Sequence, residues 1–472
     1  MRTIDLNKKI HRIFSMNMYK NLKLSLGKLT LTNDFVNDKR GNLYPIINKS
    51  EDCIEYIKEN RHCVEKGTVE RFIGQFFPYA TYEISFDQLN GKVGFIFNTK
   101  TLKASLIYDG SMVEFTDGDK VEKYNLSEKI DTIIVSCRPC AFDLYSFKND
   151  SAYFIHTFTS EMFEKSDKYE EFSTGYVSFA ASGVKITSGS FYIDCGISQA
   201  DIRPIRYEDG TAIHENGKIF FTVSIRMQAR TFQGVFSWVA GTAEFELIGA
   251  LFFDSGDGRW CGDVATSLIY NRPTDEWYLW VASFSHGHIL GHASFKGEPR
   301  FGVNVIDIEL MKESDNDNIF MHNGYPGDED PDMIYVKEVG KWYMAICRKD
   351  PKIKAYRYVF FESDKPFENY KYIGCGNDGN ETGGSFVKIN DQWHFVCGNS
   401  FEATSDYRIY NEDGMYNPSF DFCDGGFRGW GTIVPIQMGT RTRYFWLTFD
   451  RHNGSDYNWS YGNLYCFELL YL

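Results

Sequence analysis

Asp201, Ala265, Asp330 and Glu381 each stand five residues before the anchor of a repeated segment, at Arg206, Tyr270, Tyr335 and Phe386. Three of these four equivalent positions carry a carboxylate. Like charges brought together are unfavourable unless a function requires them, so the shared position is informative where any one of 64 acidic residues is not. Such a trio suits glycosidic bond cleavage. One carboxylate activates a water or attacks the anomeric carbon, and a carboxylic acid of raised pKa protonates the leaving oxygen. A third negative group keeps that acid protonated at neutral pH. The plain alternative for Asp201 is a solvated turn. Asp330 lies in Asp328-Glu329-Asp330-Pro331-Asp332, where Asp328 or Asp332 competes for the role. Glu381 precedes Gly383–Gly384, a pair that permits a ligand to approach the backbone closely.

Other residues near the same segments are suited to holding a sugar. Trp260, Trp430 and Phe427 are candidate stacking platforms, with a core role equally open to each Trp. Arg203, Arg259 and Arg428 can pair with hydroxyls or a substrate carboxylate. Asp263, His322 and Asn323 are further pocket candidates. In Ser-His-Gly-His-Ile-Leu-Gly-His the residues His286, His288 and His292 invite a metal reading, but His286 as a sugar contact is preferred. Cys137 and Cys140 form a lone C-x-x-C pair, read as incidental because no second pair accompanies it.

Positioning these groups falls to a repeat. Residues 263–281, 329–346 and 381–396 align without gaps, each with an aromatic anchor followed seven residues later by Trp277, Trp342 or Trp393. A polar turn separates anchor from Trp, so each segment reads as a hairpin whose second strand begins with a buried Trp. Looser copies occupy 201–223 and 431–449. The anchors are spaced by 64, 65, 51 and about 48 residues. One hairpin per unit at this period predicts a five-bladed β-propeller over 196–472. A second sandwich is the competing architecture. Upstream, 79–86, 92–99, 103–110 and 131–138 alternate like strands of a half-buried sheet. Residues 175–196 read as two closing strands joined by a Gly/Ser turn. Short helices are expected at 50–63 and 160–170. The N-terminal region, 1–195, is thus expected to be a β-sandwich with an N-terminal extension, similar in pattern to concanavalin-like jelly rolls. The fold class is all-β.

Composition narrows the function. Aromatic content of 17% favours sheet, and a hydrophobic fraction of 43% argues against disorder. With 50 basic against 64 acidic residues the net charge is −14, a field that repels phosphate backbones, so a nucleic-acid partner is not expected. No run of 18 apolar residues predicts a membrane helix. The N-terminus is a poor secretion signal. Eleven scattered cysteines read as reduced thiols in a cytoplasmic protein.

In order and register the motifs resemble the family 43 glycoside hydrolases and their five-bladed propeller relatives. Ala200–Asp201 with Pro204–Ile205 is similar to the first-blade motif bearing that family's general base. Asp330–Pro331 matches the third-blade motif, and Glu381–Thr382–Gly383 resembles the fourth-blade motif of the general acid. Trp260, Asp263 and Ala265 form a blurred second-blade motif. Where the fifth blade would carry a Gly-His-Gly, this chain has Gly429–Trp430–Gly431, so no cofactor is expected and an axial metal is unsupported. Invertase-like motifs are absent, and Glu329 stands where their Arg would be. The resemblance covers the C-terminal 60% or so of the chain. It implies an exo-acting glycosidase that works on small oligosaccharides by single-displacement inversion. Asp201 would be the base, Glu381 the acid and Asp330 the modulator. Two alternatives are a non-catalytic carbohydrate-binding protein on a degenerate propeller and a glycosyl transferase or phosphorylase. A phosphorylase would need an anion cradle such as Arg203, Arg206 and Arg226. Homo-oligomerisation is left open.

Overall fold

The computed structural model describes residues 11–16, 28–32, 44–148, 151–227, 230–311, 327–350, 354–376, 381–399, 407–412, 414–416, 427–450 and 464–469. The chain is all-β, with a large sandwich-like N-terminal body followed by a five-bladed propeller.

Two 18-residue strands, Thr81–Asn98 and Tyr176–Ile193, form the spine of the N-terminal body and pair antiparallel from Tyr176↔Asn98 to Tyr192↔Thr81. One half of Thr81–Asn98 continues to Lys103–Tyr108 and the other to Thr132–Arg138. The two segments read as separate strands at 79–86 and 92–99 are therefore one strand, and 175–196 holds one strand rather than two. Asn90–Gly91 and Ser182–Gly183 are turn residues by type, yet here they sit where the pairing shifts register between Ser182 and Val184. A bulge bends a strand without reversing it. A Cβ at Gly91 would meet the Ser182 carbonyl at 2.3 Å, so the bend requires glycine there. The expected helix at 50–63 is a hairpin of Ile54–Lys58 and Arg61–Lys66. Its turn residues, Glu59 and Asn60, have φ of 54° and 58°, the doubly left-handed turn that matches strand twist. Residues 160–170 hold a single 3-10 turn, Met162–Lys165, and the start of the one-turn helix Tyr169–Phe172.

The propeller's innermost strands are Ser198–Pro204, Val264–Asn271, Asp328–Val336, Glu381–Ile389 and Phe427–Met438. Each touches the next and the fifth touches the first, closing a ring. Strands added outward complete each blade. On the fifth blade the outermost strand is His11–Met16, paired with Leu464–Leu469. Residues 11–16 therefore belong with the last blade and not with the N-terminal body in which the sequence placed them. Chain ends meeting in one sheet remove the free seam of the ring.

The repeated hairpins carry the frame, with one exception. Tyr270 faces Trp277 and Tyr335 faces Trp342, and both Trp rings are buried. In the fourth blade the hairpin turns over only two residues, Asn390 and Asp391, with φ of 51° and 63°. Phe386 therefore faces Phe395, while Trp393 faces Lys388 and is half-buried against Gly210. All three Trp are the second residue of the outgoing strand and face the residue five after the bulge of the inner strand, so their positions are equivalent. The anchor Phe386 is what slips, and Trp393 differs only in being half-buried.

A hub of buried charge ties the blades together. Asp332 accepts from Arg206, from the Ser267 hydroxyl at 2.8 Å and from the Phe386 N–H at 2.7 Å. Arg206 also donates to the Phe386 carbonyl at 2.7 Å. Arg206 is thus structural and unavailable to cradle an anion. Removing one member of a buried ion pair strands the other, at a cost of about 3–5 kcal/mol. Asp332→Asn is accordingly expected to destabilise the fold by that amount in urea unfolding; an unchanged midpoint would show that the hub is dispensable.

Candidate active site

Each inner strand breaks register near its start: between Ala200 and Arg203, Val264 and Ser267, Glu329 and Asp332, Thr382 and Ser385, and Arg428 and Thr432. In the first three blades the first bulged residue is Asp201, Ala265 or Asp330, with φ of 51°, 58° and 49°. Positive φ at a non-glycine residue is costly and marks positions held for a purpose. All three hold the same bulge position with the same left-handed backbone, so the equivalence of Asp201, Ala265 and Asp330 read from the sequence stands. Glu381 is the exception. The fourth-blade residue at the bulge is Gly383, φ 59°, and Glu381 lies two residues earlier, level with Asp263 and Asp328.

Asp201 and Asp330 line one cavity of about 500 Å³. Asp263, Glu329, His288 and Thr382 share the wall, as do Tyr79, Pro139 and Asp167 from the N-terminal body. Asp201 is buried, with Arg226 3.8 Å from its Oδ2 and, among the described residues, no hydrogen-bond partner on Oδ1. Burial pushes its carboxyl up to about 6, helped by the charge of Asp330 and opposed by Arg226 and Arg203. Asp330 Oδ2 accepts from the Thr382 hydroxyl at 2.9 Å and the Gly383 N–H at 3.0 Å. Among the three neighbouring aspartates only Asp330 reaches the cavity. Asp328 is paired with Arg348 through contacts of 2.8 and 2.9 Å, and Asp332 belongs to the hub.

Glu381 is fully buried and is not part of the cavity wall, although Thr382 next to it is. Its Oε1 accepts from Arg408 at 3.1 Å and from the Tyr410 hydroxyl, and its Oε2 from the Tyr358 N–H at 3.0 Å. Burial raises its pKa against the pull of these three donors. Gly376 packs so tightly that a Cβ there would lie 2.1 Å from Oε2.

The expected binding residues divide. Asp263 lines the cavity, accepting from the Ser283 hydroxyl at 2.7 Å and the Ser285 N–H at 2.9 Å. Arg203 is buried behind the wall, its Nε donating to the Gly384 carbonyl at 3.2 Å. Trp260 is not a sugar platform here. Its ring stacks on Tyr169 with centroids 5.6 Å apart and meets Phe172 edge-on, in the seam between body and propeller. Arg259 lines the cavity with its guanidinium held bidentate by Asp167. His286 lies off the wall between two serines, and His292 stacks on Phe367. His322 and Asn323 lie outside the described residues. So do the side chains of Phe427, Arg428 and Trp430, whose backbone runs in the fifth inner strand.

Sequence reasoning missed Glu329 as a wall residue. Its Oε1 is shared by His288 Nδ1 at 3.0 Å and the Tyr356 hydroxyl at 3.2 Å. Its one visible signal was adjacency to Asp330. The contribution of Tyr79, Pro139 and Asp167 had none, since nothing local predicts which loop of one domain meets another.

No family model and no curated relative matches the sequence. Solved structures similar in fold include a family 117 glycoside hydrolase of the marine bacterium Zobellia galactanivorans. It is 11% identical with a TM-score of 0.41, over 58% of this chain and 85% of that one. An α-L-arabinofuranosidase from Podospora anserina, solved with cellotriose, is 12% identical with a TM-score of 0.39, over 57% and 90%. An exo-β-1,3-galactanase from Clostridium thermocellum is 13% identical with a TM-score of 0.37, over 56% and 61%.

Proposed function

We propose that the protein is a glycoside hydrolase that removes a terminal sugar from small oligosaccharides by single displacement. The observation that carries this reading is the pair Asp201 and Asp330, two buried carboxylates held at strained bulge positions on one cavity. Asp201 acts as the base: its Oδ1 is buried at the cavity wall and has no hydrogen-bond partner among the described residues, so it can take up a water that enters with the substrate. Asp330, fixed by Thr382 and Gly383, stays in place to orient the sugar and to raise Asp201 by its charge. Glu381 supplies the proton, reaching the cavity beside Thr382 by a side-chain rotation that releases Arg408 and Tyr410. The wall from the N-terminal body closes one side, which suits a chain end better than a passing polymer.

A second reading, a carbohydrate-binding propeller without turnover, is favoured by Glu381 being turned into its own clamp. A panel of nitrophenyl glycosides and short oligosaccharides separates the two. Release of aglycone or reducing sugar that disappears in Asp201→Asn supports hydrolysis. Calorimetric binding with no release by the wild type would replace it with the binding reading.

A further inference from the structure

The histidine-rich segment does not gather its three imidazoles, but one of them joins a different cluster. Cys261, Asp263 and His286 bring a thiol, a carboxylate and an imidazole together, with one donor atom from each within 4.8 Å of the others. We propose that these three residues form a binding site for a divalent transition-metal ion, by its chemistry zinc.

The donor set selects the metal. A mixed sulfur, nitrogen and oxygen set suits zinc, whereas calcium and magnesium take oxygen ligands. Thiolate and carboxylate together neutralise a divalent ion. Binding breaks the Cys261 S–H bond, forms a metal–sulfur bond and passes the proton to solvent. Ligand atoms around tetrahedral zinc stand about 3.3–3.7 Å apart, so side-chain adjustments on the order of 1 Å close the cluster.

The scaffold is rigid on all three sides. Cys261 is bridged to Phe253 by N–H···O bonds of 3.0 and 2.9 Å, and Asp263 leads into the second blade's inner strand. His286 ends the turn Phe284–His286 that follows the neighbouring strand Glu276–Ser283. Cys261 and Asp263 are each 1% exposed. Both imidazole nitrogens of His286 now meet a serine hydroxyl, so ligation displaces one of the two and leaves the other in place. His286 Nδ1 meets the Ser283 hydroxyl at 2.8 Å and Nε2 the Ser255 hydroxyl at 3.0 Å. Whichever nitrogen ligates, the other keeps a serine that fixes the ring, as metal-bound histidines require. Ser283 and Ser285 hold the Asp263 carboxylate in the same way. Three protein donors leave a fourth position, and the site adjoins the cavity through Asp263 and Ser285, which form part of its wall.

The test uses the full chain, stripped with a chelator and reloaded with zinc or with cobalt as a spectroscopic probe. About one zinc per chain should survive desalting, and cobalt should give a thiolate-to-metal charge-transfer band. Cys261→Ser should abolish the band and weaken zinc by at least about 100-fold, and Ser283→Ala should weaken it about 10–100-fold. Cys375→Ser, which removes an exposed thiol, should change neither. A wild type that retains no zinc overturns the proposal, as does a band that survives Cys261→Ser. Should Cys261→Ser fail to fold, His286→Gln tests the same site: it should weaken zinc by a similar factor, and unchanged zinc affinity overturns the proposal. None of these readouts uses turnover, so they stand apart from the success or failure of the glycosidase reading.

Discussion

Asp201→Asn is expected to cut turnover sharply and at the same time to raise the melting temperature at neutral pH. Burial and the neighbouring Asp330 lift the Asp201 carboxyl from 3.8 to about 6 in the folded chain. Between those values the folded state holds a proton that the unfolded state has lost, so stability falls as pH rises through that window. The group's contribution is therefore fully present below about pH 4 and gone above about pH 6. At pH 7 the penalty for keeping this carboxylate ionised is on the order of 1–3 kcal/mol. An amide carries no such penalty. Thermal melts of the two proteins should coincide near pH 4 and separate towards pH 7, with the variant the more stable. Loss of the base should lower kcat by about 10²–10⁴-fold. A variant that melts lower at every pH would mean that Arg226 and Arg203 stabilise the carboxylate more than burial opposes it, and that the site holds no strain.

What the sequence revealed of this site follows from how regular each blade is. In the first three blades the acid or its Ala265 counterpart stands at the bulge, and counting back from the anchor finds it because the bulge keeps its distance from the anchor. In the fourth blade a two-residue turn replaces a four-residue connection, so anchor, Trp and acid slip relative to one another. Glu381 then falls in the register of Asp263 and not of Asp330, a shift that ungapped alignment cannot register. The long strands Thr81–Asn98 and Tyr176–Ile193 were split by the same cause in reverse. Gly and Asn signal a turn locally, but only the partner strand decides between reversal and bulge. His11–Met16 carries no local mark of its destination either, because its partner lies at the other end of the chain. Trp260 shows the limit for aromatic platforms. A Trp beside an inner strand has the same local sequence whether it faces a sugar or, as here, Tyr169 and Phe172 of another domain.

Leaving-group chemistry decides which carboxyl is the acid. Glu381 and Glu329 compete: the first has its pKa raised by burial but points into a clamp, and the second lies on the cavity wall beside His288 and Tyr356. A dinitrophenyl aglycone departs without a proton, whereas a natural sugar does not. Glu381→Ala should therefore lose about 10²–10⁴-fold on an unactivated disaccharide and far less on the dinitrophenyl glycoside. Glu329→Ala should reduce both by a similar, smaller factor. A merely structural role for Glu381, through Arg408 and Tyr410, would depress both substrates equally. Paired kinetics thus separate proton donation from support of the fold. If the substrate-dependent loss appears in Glu329→Ala instead, the acid is Glu329 and Glu381 is a buried anchor of the fourth blade. If neither variant discriminates between the two substrates, protonation by either carboxyl is excluded and the single-displacement assignment falls with it.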